Sequence, residues 1–216
     1  MKIAIDGPAG SGKSTIAKLL SKKLNFEYID TGALYRAITY IIEKEDININ
    51  DVGKISDTIK NINFKFHGNK LYINETCIEN EIRKNTISKN VSEIAALPFI
   101  RNLINSVISK IVDVSDNIIL DGRDIGTVVL PDAELKIYLD ATPGIRAKRR
   151  YLELLEKNES ISLKKLEEEI IKRDHLDSNR EVAPLKKAED AIIILTDDLN
   201  IQQVVDKIYN LLNNDL

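Results

Sequence analysis

The stretch GPAGSGKST, Gly7-Pro8-Ala9-Gly10-Ser11-Gly12-Lys13-Ser14-Thr15, decides how the rest of the chain is read. It follows the apolar run Ile3-Ala4-Ile5 and precedes Ile16 to Leu24, where apolar residues recur at helical spacing. Gly7, Gly12, Lys13 and Ser14 fit the P-loop pattern of Gly, four residues, Gly-Lys-[Ser/Thr], in the strand-to-helix setting that it requires. Glycines at 7, 10 and 12 let successive N–H groups turn inward around a polyphosphate, whose charge the helix dipole supports. In that geometry Lys13 reaches the β- and γ-phosphates and the Ser14 hydroxyl ligates Mg²⁺. A plain glycine-rich turn would leave the Gly-Lys-Ser order unexplained.

Further along, short apolar runs alternate with helical patterns: Lys2 to Asp6, Glu27 to Ile29, Ile118 to Asp121, Leu135 to Asp140 and Ala191 to Leu195. These predict an α/β fold, a doubly wound parallel five-stranded sheet with helices on both faces. About 90 residues separate the second and third runs, too many for one crossover. Within them, alternating apolar positions flank His67-Gly68-Asn69 and predict a β-hairpin in a small inserted lobe, about residues 36–108. A second excursion, about 146–180, is rich in helix formers and charge, with Asn158 to Ser162 as the break between two helices. Arg146, Arg149 and Arg150 share one helical face there, either as a salt-bridged surface or as a mobile lid that excludes water. The whole, 1–216, reads as a single domain built around the P-loop.

Composition narrows the partners. A formal net charge of -3 argues against a general polyanion binder, so no nucleic acid is expected. No apolar stretch approaches the roughly 20 residues of a membrane span, and the chain enters a strand directly, so no membrane and a cytoplasmic location are expected. The single cysteine, Cys77, forms no internal disulfide and reads as a packing residue. A monomer is the expected state. His67 and His175 lack metal-ligand spacing and receive no role. Asp121 ends the run Asn117-Ile118-Ile119-Leu120 as a P-loop carboxylate orienting Mg²⁺ does, or as a plain strand-end aspartate does; Asp6 is placed similarly.

Three more motifs stand in order behind the P-loop: DTGALYR (Asp30 to Arg36), LDGRDIGTVVLPDA (Leu120 to Ala133) and RDHLDSNREVAPL (Arg173 to Leu185). With GPAGSGKST they resemble the bacterial cytidylate kinases, a branch of the P-loop nucleoside monophosphate kinases, nearly end to end. The resemblance implies Mg²⁺-dependent transfer of the ATP γ-phosphoryl group to CMP or dCMP. It implies an acceptor-binding lobe that carries the hairpin, and a helical lid. By the same resemblance Tyr35, Arg36 and Arg123 hold the acceptor phosphate, beside Thr31, which stands where Ser is more usual. Ser92, Arg101 and Asp124 read cytosine, Arg173 and Asp177 contact the ribose, and Arg180 approaches the phosphates. Arg146 and Arg150 join the P-loop residues on the donor side. Leu176 and Ser178 stand where many relatives have arginine, which leaves open how the lid arginines share transition-state charge.

The P-loop alone would equally suit a kinase for UMP, AMP or shikimate, or a nucleotide-dependent switch. A GTPase would need an Asn-Lys-x-Asp guanine-reading motif, and the sequence has none. Catalysis by any of these kinases is positioning plus electrostatics, with guanidinium forks on phosphate oxygens.

Overall fold

A computed structural model describes residues 1–156 and 161–214. The chain opens with β1 (Lys2–Asp6), α1 (Lys13–Leu24) and β2 (Glu27–Asp30). β1 shows no polar alternation because both its faces are covered: Ile3, Ala4 and Ile5 are fully buried. α1 buries Ile16, Ala17 and Leu20 and stops at Asn25, which takes the left-handed conformation and returns its N–H to the Lys22 carbonyl.

Ile29–Ser115 form one compact unit. It holds α2 (Thr31–Lys44), α3 (Val52–Lys60), β3 (Phe64–His67), β4 (Lys70–Ile73), β5 (Thr76–Cys77), α4 (Glu79–Ile82), α5 (Asn85–Ala96) and α6 (Pro98–Val112). β3 and β4 make an antiparallel hairpin in which His67 pairs with Lys70, so the turn is only Gly68-Asn69, both at positive φ. β5 adds a third strand through a second turn at Asn74-Glu75, also at positive φ. That strand is missing from the sequence reading because its turn contains no glycine. Cys77 lies on it and is exposed, which corrects the expectation of a packing role. Ile38, Ile55, Leu71, Ile82, Ile100 and Ile104 are buried within this unit.

Met1–Tyr28 and Asp116–Leu216 form the other unit. The returning chain gives β6 (Ile118–Gly122), a single π-helical turn (Ile125–Val129), β7 (Leu135–Asp140), α7 (Pro143–Glu156), α8 (Leu163–Asn179), β8 (Ile192–Leu195) and α9 (Ile201–Asn214). The five-stranded sheet runs β2-β6-β1-β7-β8, with parallel pairing of β1 to β6, β1 to β7 and β7 to β8. Asp6 is level with Gly122 on one side and Tyr138 on the other, so β1 and β6 end together and deliver their following loops to one edge of the sheet. α1 and α9 pack on the strands through Leu20, Val204, Val205 and Ile208. α7 and α8 meet through Ala147, Leu154, Leu166 and Ile170. Of the predicted break between them, residues 158–160 lie outside the described residues; Ser162 caps α8, its Oγ accepting from the Lys165 N–H at 3.2 Å. No single helix among the described residues is long and apolar enough to cross a membrane.

Candidate active site

The loop between β1 and α1 is shaped by close approach. Gly7 has φ +147°, and a Cβ there would sit 2.0 Å from the Leu139 carbonyl oxygen on β7, so no side chain fits. Gly12, the N-cap of α1, is left-handed and supplies no capping side chain, which leaves the first N–H groups of the helix to an anion. Lys13 donates from Nζ to the Pro8 carbonyl at 2.7 Å and lies almost wholly buried. Burial first, and the charge of Arg123 second, hold its pKa well below the usual lysine range, against the pull of Asp121 and Asp6.

Two residues from the far end of the chain brace this loop. Arg146 is 3% exposed and donates to the Ala9 carbonyl (2.8 Å), to the Ala141 carbonyl (2.8 Å) and to Asp174 (2.6 Å). Asp174 in turn accepts from the Ala9 N–H at 3.4 Å, so Ala9 is gripped at both its polar backbone atoms. The three arginines expected on one face of α7 therefore part company. Arg146 faces the loop, Arg149 donates to Thr196, and Arg150 pairs with Glu153 toward solvent. Asp174 belongs to RDHLDSNREVAPL, and its spacing of three from Asp177 on α8 is the sequence signal that points to it.

Ser14 donates from Oγ to Asp121 at 2.9 Å, and the Tyr28 hydroxyl donates to the other Asp121 oxygen at 2.7 Å. A hydroxyl and a carboxylate, both hard oxygen donors, suit Mg²⁺, which keeps several waters and takes its remaining ligands from phosphate. No group of three or more His, Cys, Asp or Glu able to hold a metal occurs among the described residues. The Tyr28 contact was not anticipated. Asp6, for which a metal-orienting and a plain strand-end reading both stood open, is bonded to the backbone N–H groups of Ile125 (2.8 Å) and Gly126 (2.7 Å). Burial raises its pKa to about 6 in spite of those two bonds.

Beyond β6, Arg123 donates from Nε to Asp177 at 2.9 Å, and Arg180 pairs with Asp124 at 3.2 Å while donating to the Ala183 carbonyl at 2.6 Å. Asp124 does not cap the following turn with its side chain, and one ion pair that it makes is with Arg180. Burial opposes the charge of Asp177, but Arg123 and Arg173 outweigh it and lower the pKa. The same exchange raises that of Arg123 over the opposing effect of burial. Arg173 adds its field to both Lys13 and Asp177. Lys13, Arg123, Arg173 and Arg180 thus stand with Asp121, Asp124, Asp174 and Asp177 in one charge cluster at the strand ends of this unit.

In the Ile29–Ser115 unit, Asp30 caps α2 by accepting from the Ala33 N–H at 3.0 Å, and Thr31 is the buried first residue of that helix. The other Asp30 oxygen accepts from Arg36 and from Arg83, each at 2.7 Å. Burial works against its charge, yet Arg36 and Arg83 bring the pKa down to about 2. Arg83 also pairs with Glu79 at 2.7 Å. Arg101 is 2% exposed, lies 5.5 Å over the Tyr35 ring and donates to the Ala95 carbonyl at 3.1 Å. Ser92 is buried on the neighbouring α5. Tyr35, Arg36 and Arg101 are thus brought together by α2 and α6, while Asp30 and Arg83 are partners that the sequence reading left without roles.

Known proteins match this arrangement along its length. The family model described as cytidylate kinase matches residues 3–214. The chain is 50% identical over 212 residues to the cytidylate kinase of Clostridium tetani, covering 98% of this chain and 93% of that protein. It is 48% identical over 204 residues to that of Fusobacterium nucleatum, covering 94% and 93%. A shikimate kinase structure from Bacteroides thetaiotaomicron superposes with a TM-score of 0.50 at 14% identity, covering 99% of this chain and 98% of that one, a likeness of fold alone. With its P-loop, its Gly-Arg-Asp segment and this similarity over nearly all its residues, the chain belongs to the cytidylate kinase family.

Proposed function

We propose that the protein transfers the γ-phosphoryl group of ATP to CMP or dCMP, giving ADP and CDP or dCDP. An oxygen of the acceptor phosphate attacks the γ-phosphorus, the bond to the β,γ-bridging oxygen breaks, and ADP leaves with that electron pair. The attacking oxygen is already anionic at neutral pH, so the residues need only position and neutralise. Family membership supports this reading, and the observation that carries it is the buried Lys13 ammonium beside Arg123 at the mouth of the P-loop. Cations held where their charge is disfavoured are matched by the polyanion that compensates them.

On the donor side the backbone of Gly7, Pro8, Ala9, Gly10, Ser11 and Gly12 cradles phosphate with Ser14 and Thr15, and Lys13 meets the β- and γ-oxygens. Arg146 serves through its hold on Ala9, and Arg150 from the same helix. Mg²⁺ bound at Ser14 and Asp121 would neutralise charge on the phosphate oxygens. On the acceptor side Tyr35, Arg36 and Arg123 take the phosphate beside Thr31, Arg173 and Asp177 the ribose, and Arg180 the transferring group. Ser92, Arg101 and Asp124 take cytosine: its N4 amine donates to a carboxylate, where uracil presents an acceptor. Residues of about 36–108 form the acceptor lobe and about 146–180 the lid. The protein acts as a cytoplasmic monomer, with neither nucleic acid nor membrane as a partner.

An ADP-release assay with CMP, dCMP, UMP, AMP and shikimate tests reaction and acceptor together. Turnover with CMP and dCMP well above the other three is expected. ATP binding without turnover of any acceptor would replace the kinase by a nucleotide switch, and a preference for another acceptor would reassign the cytosine-reading residues.

A further inference from the structure

Asp124 opens a helical turn yet does not cap it. The turn closes through Val128 and Val129, whose N–H groups both return to the Asp124 carbonyl, and through Leu130, which returns to Ile125. The N–H groups of Ile125 and Gly126 at its start have no acceptor within the turn, the position at which an aspartate normally folds its own carboxylate back. Here both are taken by Asp6, one on each carboxylate oxygen, at 2.8 and 2.7 Å. Asp6 is the last residue of β1 and 4% exposed, and the fit is close: a Cβ on Gly126 would lie 3.4 Å from the Asp6 oxygen and 3.1 Å from the Lys136 side chain. The Asp124 carboxylate, relieved of the cap, turns to Arg180 at 3.2 Å.

We propose that Asp6 is a positioning residue for acceptor choice: by capping the Ile125–Val129 turn from β1 it keeps the Asp124 carboxylate available to the acceptor base. This rests on the reading of Asp124 as the cytosine-reading group. Without Asp6, two buried N–H groups need an acceptor, and the carboxylate adjacent to them in sequence is that of Asp124. Once Asp124 caps its own turn it leaves Arg180 and no longer presents an acceptor for the N4 amine. The loss then falls on discrimination between bases, not merely on stability.

The test is the ratio of kcat/KM for CMP over UMP in four full-length proteins: wild type, Asp6→Asn, Asp124→Asn and the double variant. An asparagine at 6 can accept one of the two N–H bonds and must set its own NH₂ against the other. Asp124→Asn should reduce the ratio by roughly 10–100-fold. Asp6→Asn should reduce it by about tenfold, and the double variant should fall no further than Asp124→Asn alone, as expected of residues acting through one carboxylate. A lower melting temperature in Asp6→Asn with the ratio within about twofold of wild type would overturn the proposal and leave Asp6 a structural cap. Full additivity in the double variant would overturn it as well. An unchanged ratio in Asp124→Asn would instead remove the base-reading role of Asp124, and this proposal with it. Asp6→Ser, smaller and uncharged but still an acceptor, replaces Asp6→Asn with the same outcomes if the asparagine variant does not fold.

Discussion

Lys13 holds its ammonium where burial and Arg123 both disfavour the charge, with Nζ on the Pro8 carbonyl. Lys13→Ala should therefore lower kcat by about 10²–10³-fold while leaving the unfolding free energy unchanged or higher, since a destabilised charge is removed. Steady-state kinetics beside urea unfolding checks it; near-normal turnover in a folded variant would remove the P-loop from the mechanism. Two carboxylates should mark stability with opposite signs. The Asp30 pKa is lowered from 3.8 to about 2, so its contribution is present above pH 4 and lost as pH falls from about 4 to 2. That of Asp6 is raised from 3.8 to about 6, so its contribution is present at pH 4 and below and lost as pH rises toward 6. Each is worth on the order of 2–3 kcal/mol by its shift. Urea titrations at pH 3, 4, 5 and 7 should show Asp6→Asn gaining on wild type between pH 4 and 7, and the deficit of Asp30→Asn shrinking below pH 4. Parallel curves for wild type and both variants would contradict both shifts.

At the level of elements, the two ends of the P-loop show what the sequence can carry. β1 and α1 were legible because covered strands and amphipathic helices write themselves in local periodicity, and the loop because phosphate binding fixes residue types at adjacent positions. What braces the loop was not. Arg146 reaches Ala9 across 137 positions and Asp6 reaches Ile125 across 119, and neither pairing leaves a local pattern. β5 was lost for another reason: Asn74 and Glu75 take left-handed angles without a glycine to announce them. The tight contact of the loop after β1 with β7 gives an element-scale prediction. Gly7→Ala pushes a methyl into the Leu139 carbonyl from a backbone angle that alanine avoids, and should cost well over about 1 kcal/mol in urea unfolding. A variant as stable as wild type would show that β7 gives way.

For the molecule as a whole, the doubly wound sheet followed from alternating strands and helices, and the family from four motifs in order, whereas the charge cluster, Asp174 apart, could be named residue by residue but not paired. Arg123 could have met Asp124 next to it; the fold gives it Asp177, 54 positions away, and sends Asp124 to Arg180. Strand order has a consequence for how the protein is made. β1 lies between β6 and β7, so it leaves the ribosome with neither neighbour until residues 118–140 follow. Ile29–Ser115, contiguous in sequence, needs no such wait. In arrested nascent chains of increasing length, protease protection of 29–115 should precede protection of 2–6, which should appear only after Asp140 has emerged. Protection of both at one length would refute that order. Since Ala9 is gripped by Arg146 and Asp174, a half-translated polypeptide carries the complete nucleotide signature and cannot yet use it: competence to bind a nucleotide arrives late in biosynthesis, after the unit Ile29–Ser115 is already in place.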